Sequence, residues 1–287
     1  MADKDLRENF ERDGYVFPLE IMTAEEARAC RKRLEDLEAG AHPPLKRPLN
    51  EYLRGTAHYL SMLAADLSQD SRILGAVEQL LGPDLLVWSC EFFIKEAGST
   101  RMISWHQDLT YWGLGEEAEE VTAWLALSRS DQASGCMKFV PGSHQNMIVP
   151  HRDTFNANNL LSRGQEIAVE VHEEEAVAVE LEPGQLSLHH GRIFHGSGAN
   201  ASGDRRIGVA IRYITPRVRQ QVGEKDYAML VRGVDEYGHF HLIAPPARDF
   251  GVYEQELFER VYASQLNVFA QGVDPKIPLY ASNRADS

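Results

Sequence analysis

His106 and Asp108 stand two residues apart in "SWHQDLTYWGL", and His195 follows much later, in "FHGSGANASGDRRIG". Two imidazoles and one carboxylate on one side of a divalent cation leave open positions on the other, which is the arrangement of non-haem Fe(II) oxygenases. A buried imidazole beside a buried carboxylate is costly unless each has a partner, and one metal ion satisfies both. The spacing of His106 and Asp108 alone is met equally by a plain His–Asp hydrogen bond in a core, the commoner outcome for so short a pattern. The second stretch changes that balance, because Arg206 lies eleven residues after His195, with Ser197 between Gly196 and Gly198. An arginine's planar fork pairs bidentately with a carboxylate, and a guanidinium buried in the same space needs such a partner.

These residues must be positioned by strands. Side chains alternate along a strand, so if "SWHQDLTYWGL" is extended, His106 and Asp108 share a face and Gln107 points the other way. In "VTAWLALS", Thr122, Trp124, Ala126 and Ser128 share the mixed-size face, opposite Val121, Ala123, Leu125 and Leu127. Arg206 likewise shares a face with Gly208 and Ala210, whose small side chains leave room beside it, while Ile207, Val209 and Ile211 face another layer. For Trp124 the face alone leaves core packing and ligand contact both open.

From residue 85 onward, "LLVWSCEFFIK", "VTAWLALS", "CMKFVPG", "AVAVELEPG", "QLSLHHG" and "IGVAIRYI" are β-branched or aromatic runs punctuated by Gly, Pro, Asn and Asp. Before them, "TAEEARACRKRLEDLEAG" carries a capping box from Thr23 to Glu26 and helical spacing up to Gly40. A second helix is predicted over "SRILGAVEQLLG", a proline-rich loop between the two, and a last helix over 254–268, with the final "SNRADS" expected to fray. The expected fold is mainly β with flanking helices, built on a double-stranded β-helix (jelly-roll, cupin-like) core. One domain is expected over 1–287, with a helical layer to about 84, the jelly roll over about 85–215, and a C-terminal lid and helix beyond.

Composition narrows the function class. With 43% hydrophobic residues in 287, the chain can bury a substantial core. A net charge of -14 argues against nucleic acid, which needs a basic face. No run approaches the length of a membrane span and "MADKDLRENF" is charged where a secretory signal would be apolar, so a cytoplasmic protein without membrane association is expected. Cys30, Cys90 and Cys136 are widely spaced and odd in number, pointing to buried thiols rather than disulfides or a zinc site.

The order "FERDGYVF", "WHQDLTYW", "VTAWLALS", "SGCMKFVPGSH" and "FHGSGANASGDRRIG" resembles the phytanoyl-CoA dioxygenase family of Fe(II)/2-oxoglutarate oxygenases, over about residues 10–215. The resemblance implies that His106, Asp108 and His195 bind iron, and that Arg206 and Ser197 hold the distal carboxylate of 2-oxoglutarate. It also implies that Trp124, eighteen residues after His106, lines the co-substrate site. The implied reaction couples oxidative decarboxylation of 2-oxoglutarate by O₂, giving succinate and CO₂, to hydroxylation of an unactivated C–H bond. Related halogenases have Ala or Gly where Asp108 stands, so a hydroxylase is expected. Two other readings are a non-redox cupin-like metal protein, which would not need Arg206, and a 2-oxoglutarate-binding sensor module, which a succinate assay separates from an enzyme.

Other residues are weaker candidates. His189 and His190 precede the G-S-G turn and are expected to be structural or to stand behind the ligands; His144 and His151 are expected to serve loop hydrogen bonds. Arg205 would exchange roles with Arg206 if the register slipped by one. Substrate contacts are expected from long loops, "PPLKRPLNEYLRGTAHY", "TYWGLGEEAEE", "PHRDTFNANNLLSRGQE" and residues 217–250, with Tyr52, Trp112, Arg152 and Arg163 as named contacts. They suggest a small polar or anionic metabolite or a natural-product intermediate. No basic cluster for the phosphates of a coenzyme A ester is evident. The oligomeric state is not readable from these residues.

Overall fold

The computed structural model describes residues 3–280 other than 275 and 278, so "SNRADS" lies outside the described residues. A first helix, α1 (Asp3–Asp13), leads into β1 (Tyr15–Glu20) and then α2 (Ala24–Glu38). The capping box is present: the Glu26 N–H donates to Thr23 Oγ1 at 3.2 Å and the Thr23 N–H to the Glu26 carboxylate at 2.7 Å. The proline-rich stretch contains a short helix, α3 (Leu49–Tyr52), followed by α4 (Met62–Ser68), where only loop was expected. The predicted second helix is α5 (Ser71–Leu81), capped by Asp70 and ended at Gly82 with φ +91°.

The β region opens with β2 (Leu85–Lys95), β3 (Ile103–His106), β4 (Glu120–Ala126) and β5 (Met137–Phe139). Short β6 (His151–Arg152) and β7 (Glu166–Ile167) pair with each other, and β8 (Val177–Val179) follows. The chain then forms β9 (Gln185–His190), β10 (His195–Ser197), β11 (Arg206–Ile214), β12 (Tyr227–Arg232), β13 (His241–Leu242) and the last helix, α6 (Val252–Phe269). A seven-stranded sheet, β1-β9-β4-β11-β2-β12-β13, faces a four-stranded sheet, β3-β10-β5-β8. This is the expected β sandwich with flanking helices. Two boundaries move, however. The segment before residue 84 is not purely helical, since β1 pairs with β9, and the sheet runs past residue 215, since β12 pairs with β2.

The major sheet is covered on both faces, which is why all nine residues of β11 are buried. Ile207, Val209 and Ile211 join Val121, Ala123 and Leu125 against Leu34 of α2, Leu63 of α4, and Ile73 and Val77 of α5. Each such buried aliphatic side chain stabilises the fold by roughly 1.5–3 kcal/mol. The opposite face turns Trp124, Ala126 and Ala210 toward Met137, Phe139 and Val179 of the minor sheet. The alternation predicted for β4 and β11 therefore holds, and the lumen lies between the sheets.

Candidate active site

β3 and β10 pair antiparallel with His106 opposite His195, and the two ring centroids are 4.0 Å apart. Each Nδ1–H donates to a carbonyl two residues back, His106 to Ser104 at 2.9 Å and His195 to Ile193 at 3.0 Å. That leaves each Nε2 lone pair free as a ligand. The strand stops at His106, and Asp108 opens a 3₁₀ turn, Asp108–Thr110. Strand alternation is thus not what brings Asp108 to His106; the turn does. Gln107 is pinned between them by its own amide, which donates to the Arg192 carbonyl at 2.9 Å and accepts from the Val149 N–H at 2.9 Å.

Asp108 Oδ1 lies 3.3 Å from His106 Nε2 and 3.8 Å from His195 Nε2. All three side chains are buried, and their donor atoms lie within 4.8 Å of one another. Burial opposes the charge on Asp108, but His106, His195 and Arg212 outweigh it and hold its carboxyl well below the usual range. Burial pushes His195 down to about 4, so it is neutral at pH 7, as a metal ligand must be. Two imidazoles whose outer nitrogens are already anchored, and a carboxylate, fit a ferrous ion.

The triad borders a cavity of about 840 Å³, counting its open mouth. Arg206 projects into it, 1% exposed, with Nη1 on the Gly135 carbonyl at 3.0 Å and Nε without a partner. Burial pulls its pKa down to about 10, so it remains charged at neutral pH. An orphaned nitrogen on a buried cation fits an incoming carboxylate. Trp124 covers this guanidinium at 5.4 Å and lies so flat on β11 that a Cβ on Gly208 would come within 1.8 Å of its ring. Arg205 instead pairs with Glu38 and Glu96 on the outside, so the register assumed for Arg206 is the one found.

Lys95 was not anticipated. It ends β2 opposite Arg206, is fully buried, and its Nζ donates to Ser197 Oγ at 2.7 Å and to the Gly198 carbonyl. Because Ser197 accepts from lysine, its own hydroxyl hydrogen is free to point into the cavity. The remaining candidates separate cleanly. His189 lines the cavity, with its ring centroid 5.2 Å from that of His195. His190 stacks on Phe10 and accepts from the Arg192 N–H; His144 bonds the Glu11 carbonyl; His151 accepts from the Gln107 N–H. Trp112 lines the cavity as expected. Tyr52 does not: it is buried with its hydroxyl on Gln255 of α6. Arg152 pairs with Glu166 at the surface, and Arg163 clamps the Phe269 and Gln271 carbonyls at 2.7 and 2.8 Å. Residues 217–250 contribute nothing to the lining; Phe269 and Tyr280 close that side instead.

A family model described as Phytanoyl-CoA dioxygenase (PhyH) matches residues 10–208. The chain belongs to the phytanoyl-CoA dioxygenase family. Ectoine dioxygenase of Halomonas elongata is 26% identical over 219 residues, covering 69% of this chain and 66% of that protein, so the match spans just under two thirds of this relative's length. Among solved structures, the non-heme monooxygenase ThoJ is 36% identical with a TM-score of 0.80, covering 93% of this chain and 98% of that one. CytC3 with Fe(II) and alpha-ketoglutarate is 25% identical with a TM-score of 0.62, covering 87% of this chain and 95% of that one. A dioxygenase family, a non-heme monooxygenase and a neighbour that holds Fe(II) and alpha-ketoglutarate are all in accord with the site. Among the described residues, no helix is long and apolar enough to cross a membrane.

Proposed function

We propose that this chain is a hydroxylase that couples oxidative decarboxylation of 2-oxoglutarate to oxidation of an unactivated C–H bond in a small polar metabolite or natural-product intermediate. His106, Asp108 and His195 hold the iron, Arg206 receives the distal carboxylate of 2-oxoglutarate, and Ser197 donates its hydroxyl hydrogen to the same carboxylate. The observation that carries this reading is the convergence, in one buried lumen, of the three ligand atoms with a guanidinium whose Nε is unpaired.

What iron and 2-oxoglutarate supply when bound is the oxidising equivalent, formed as O₂ is reduced and the 2-oxo acid becomes succinate and CO₂. The chain's own part is geometric. The backbone carbonyls of Ser104 and Ile193 fix the imidazole planes, Trp124 walls the co-substrate's end, and the aromatic rims of Trp112 and Phe269 keep water from the reacting carbon. Asp108 occupies the position that a halide would need, which favours hydroxylation over halogenation. Arg206 inside the lumen speaks against a bare metal-binding protein.

His106→Ala should remove both iron retention and succinate formation, and Arg206→Ala should raise the 2-oxoglutarate requirement by roughly tenfold or more, since one charge-assisted contact contributes about 1.5–3 kcal/mol. Wild-type iron content with full turnover in His106→Ala, or an unchanged requirement in Arg206→Ala, would refute the assignments.

A further inference from the structure

The alternation that puts Arg206 in the lumen continues through Gly208 and Ala210 to Arg212, at the far end of the same face and roughly 20 Å along β11. Arg212 is buried, its side chain 8% exposed, yet it is held only loosely: Nη1 reaches Ser89 Oγ at 3.4 Å and Glu91 Oε2 at 3.3 Å, and Nε has no partner. Its guanidinium lies 5.2 Å from the Trp112 ring centroid and 5.6 Å from that of Phe93. Rings on the faces leave the donor edge as the surface it offers.

A second arginine stands beside it. The segment after α3 runs along β2, with the Cys90 N–H on the Gly55 carbonyl and the Phe92 N–H on the Leu53 carbonyl, both at 2.9 Å. That register sets Arg54 alongside Glu91, where its Nη1 is buried without a partner and its guanidinium lies 5.6 Å from the Tyr280 ring. Arg54 and Arg212 both line a chamber of about 620 Å³, counting its open mouth, that shares Glu91, Trp112, Phe269 and Tyr280 with the main cavity. Two guanidiniums thus face Glu91, which burial pushes toward its neutral form against the pull of both arginines, while Glu51, also in the lining, is paired with Arg47 at 3.1 Å. With Arg206 taken by the co-substrate, Arg54 and Arg212 remain the cations of the chamber among aromatic walls, Arg212 also facing Asp108 and Glu120.

We propose that Arg212 and Arg54 form an anion-receiving subsite, and that the substrate is a carboxylic acid with a planar or aromatic body. Its carboxylate lies on the two guanidiniums and its reacting carbon is turned toward the His106–Asp108–His195 centre. The proposal rests on the oxygenase reading for what happens to that carbon, but not for the binding itself.

The test uses protein loaded anaerobically with Fe(II) and saturating 2-oxoglutarate, so that Arg206 is occupied. Arylalkanoates from benzoate to 4-phenylbutyrate, and their carboxamides, are titrated while tryptophan fluorescence is followed, since Trp88 and Trp112 flank the chamber. At least one acid should bind tenfold or more tightly than its amide. Arg212→Gln and Arg54→Gln should each weaken that acid by roughly ten- to hundredfold, the range of a charge-assisted contact. Arg54 touches no ligand of the triad, so its variant keeps the test meaningful if Arg212→Gln disturbs Asp108. No acid preferred over its amide, or an acid indifferent to both substitutions, overturns the subsite. Calorimetric titration of 2-oxoglutarate and a succinate assay on the same samples read the oxygenase assignment separately: acid binding without them would leave the subsite standing and sink the oxygenase.

Discussion

At the residue scale, the pair Lys95 and Ser197 shows how a buried amine can act without touching a ligand. Burial, and then the charge of Arg206, pull the Lys95 pKa down to about 6, so the amine is largely neutral at pH 7 and serves chiefly as a hydrogen-bond donor. Lys95→Met should free Ser197 to turn away from the cavity. The expected result is a rise of about tenfold in the 2-oxoglutarate KM, the lower end of what a hydrogen bond to a charged group contributes, with iron content unchanged. If lysine acts through the serine, Lys95→Met and Ser197→Ala should be markedly non-additive in a double-mutant cycle; strict additivity would show two independent contacts. His106, Asp108, His195 and Arg206 were legible because their types and order are specific. Arg212 was within reach too, three steps beyond Arg206 along the same alternation. Lys95 was not, because a lysine closing a strand reads as surface until the loop at Gly135 and Gly198 is seen to bury it.

At the scale of elements, the lumen depends on how tightly β4 and β11 approach. Gly208 faces Trp124 across that pair, and any side chain there meets the indole. Gly208→Ala should tilt Trp124 off the Arg206 guanidinium, costing about 1–3 kcal/mol in stability by overpacking and weakening 2-oxoglutarate binding together. A thermal melt and a co-substrate titration check both; unchanged binding would mean that Trp124 does not shape the pocket. Helices with caps, such as α2 and α5, were readable because capping residues and apolar spacing are local signals. The turn at Asp108, the strand β1 and the pairing of β12 with β2 were not, because each is set by long-range partners rather than by its own residues.

At the scale of the whole molecule, buried carboxylates set a pH dependence. Burial raises Glu120 to about 8, with Asp108 adding to the effect, while Thr122 and Arg212 oppose it. A folded-state pKa above the unfolded value means that this stabilisation is complete below about 4.5 and is lost as the pH rises toward 8. Because buried histidines and Lys95 act in the opposite sense, the effect is read as a difference: without metal, the wild-type Tm should lose ground to that of Glu120→Gln as the pH rises from about 4.5 to 8, and a constant difference would exclude Glu120.

The chain's net charge of -14 surrounds a lumen that holds Arg206 and Arg212. 2-Oxoglutarate, a dianion, must cross a repulsive field before meeting its attractive one. Its capture should then quicken as added salt shortens the reach of that repulsion to about 10 Å at 0.1 M, whereas release, governed by short contacts inside, should change far less. Stopped-flow mixing at graded ionic strength reads the two rates apart, and a capture rate that slows with salt would mean that the mouth, not the net charge, governs the approach.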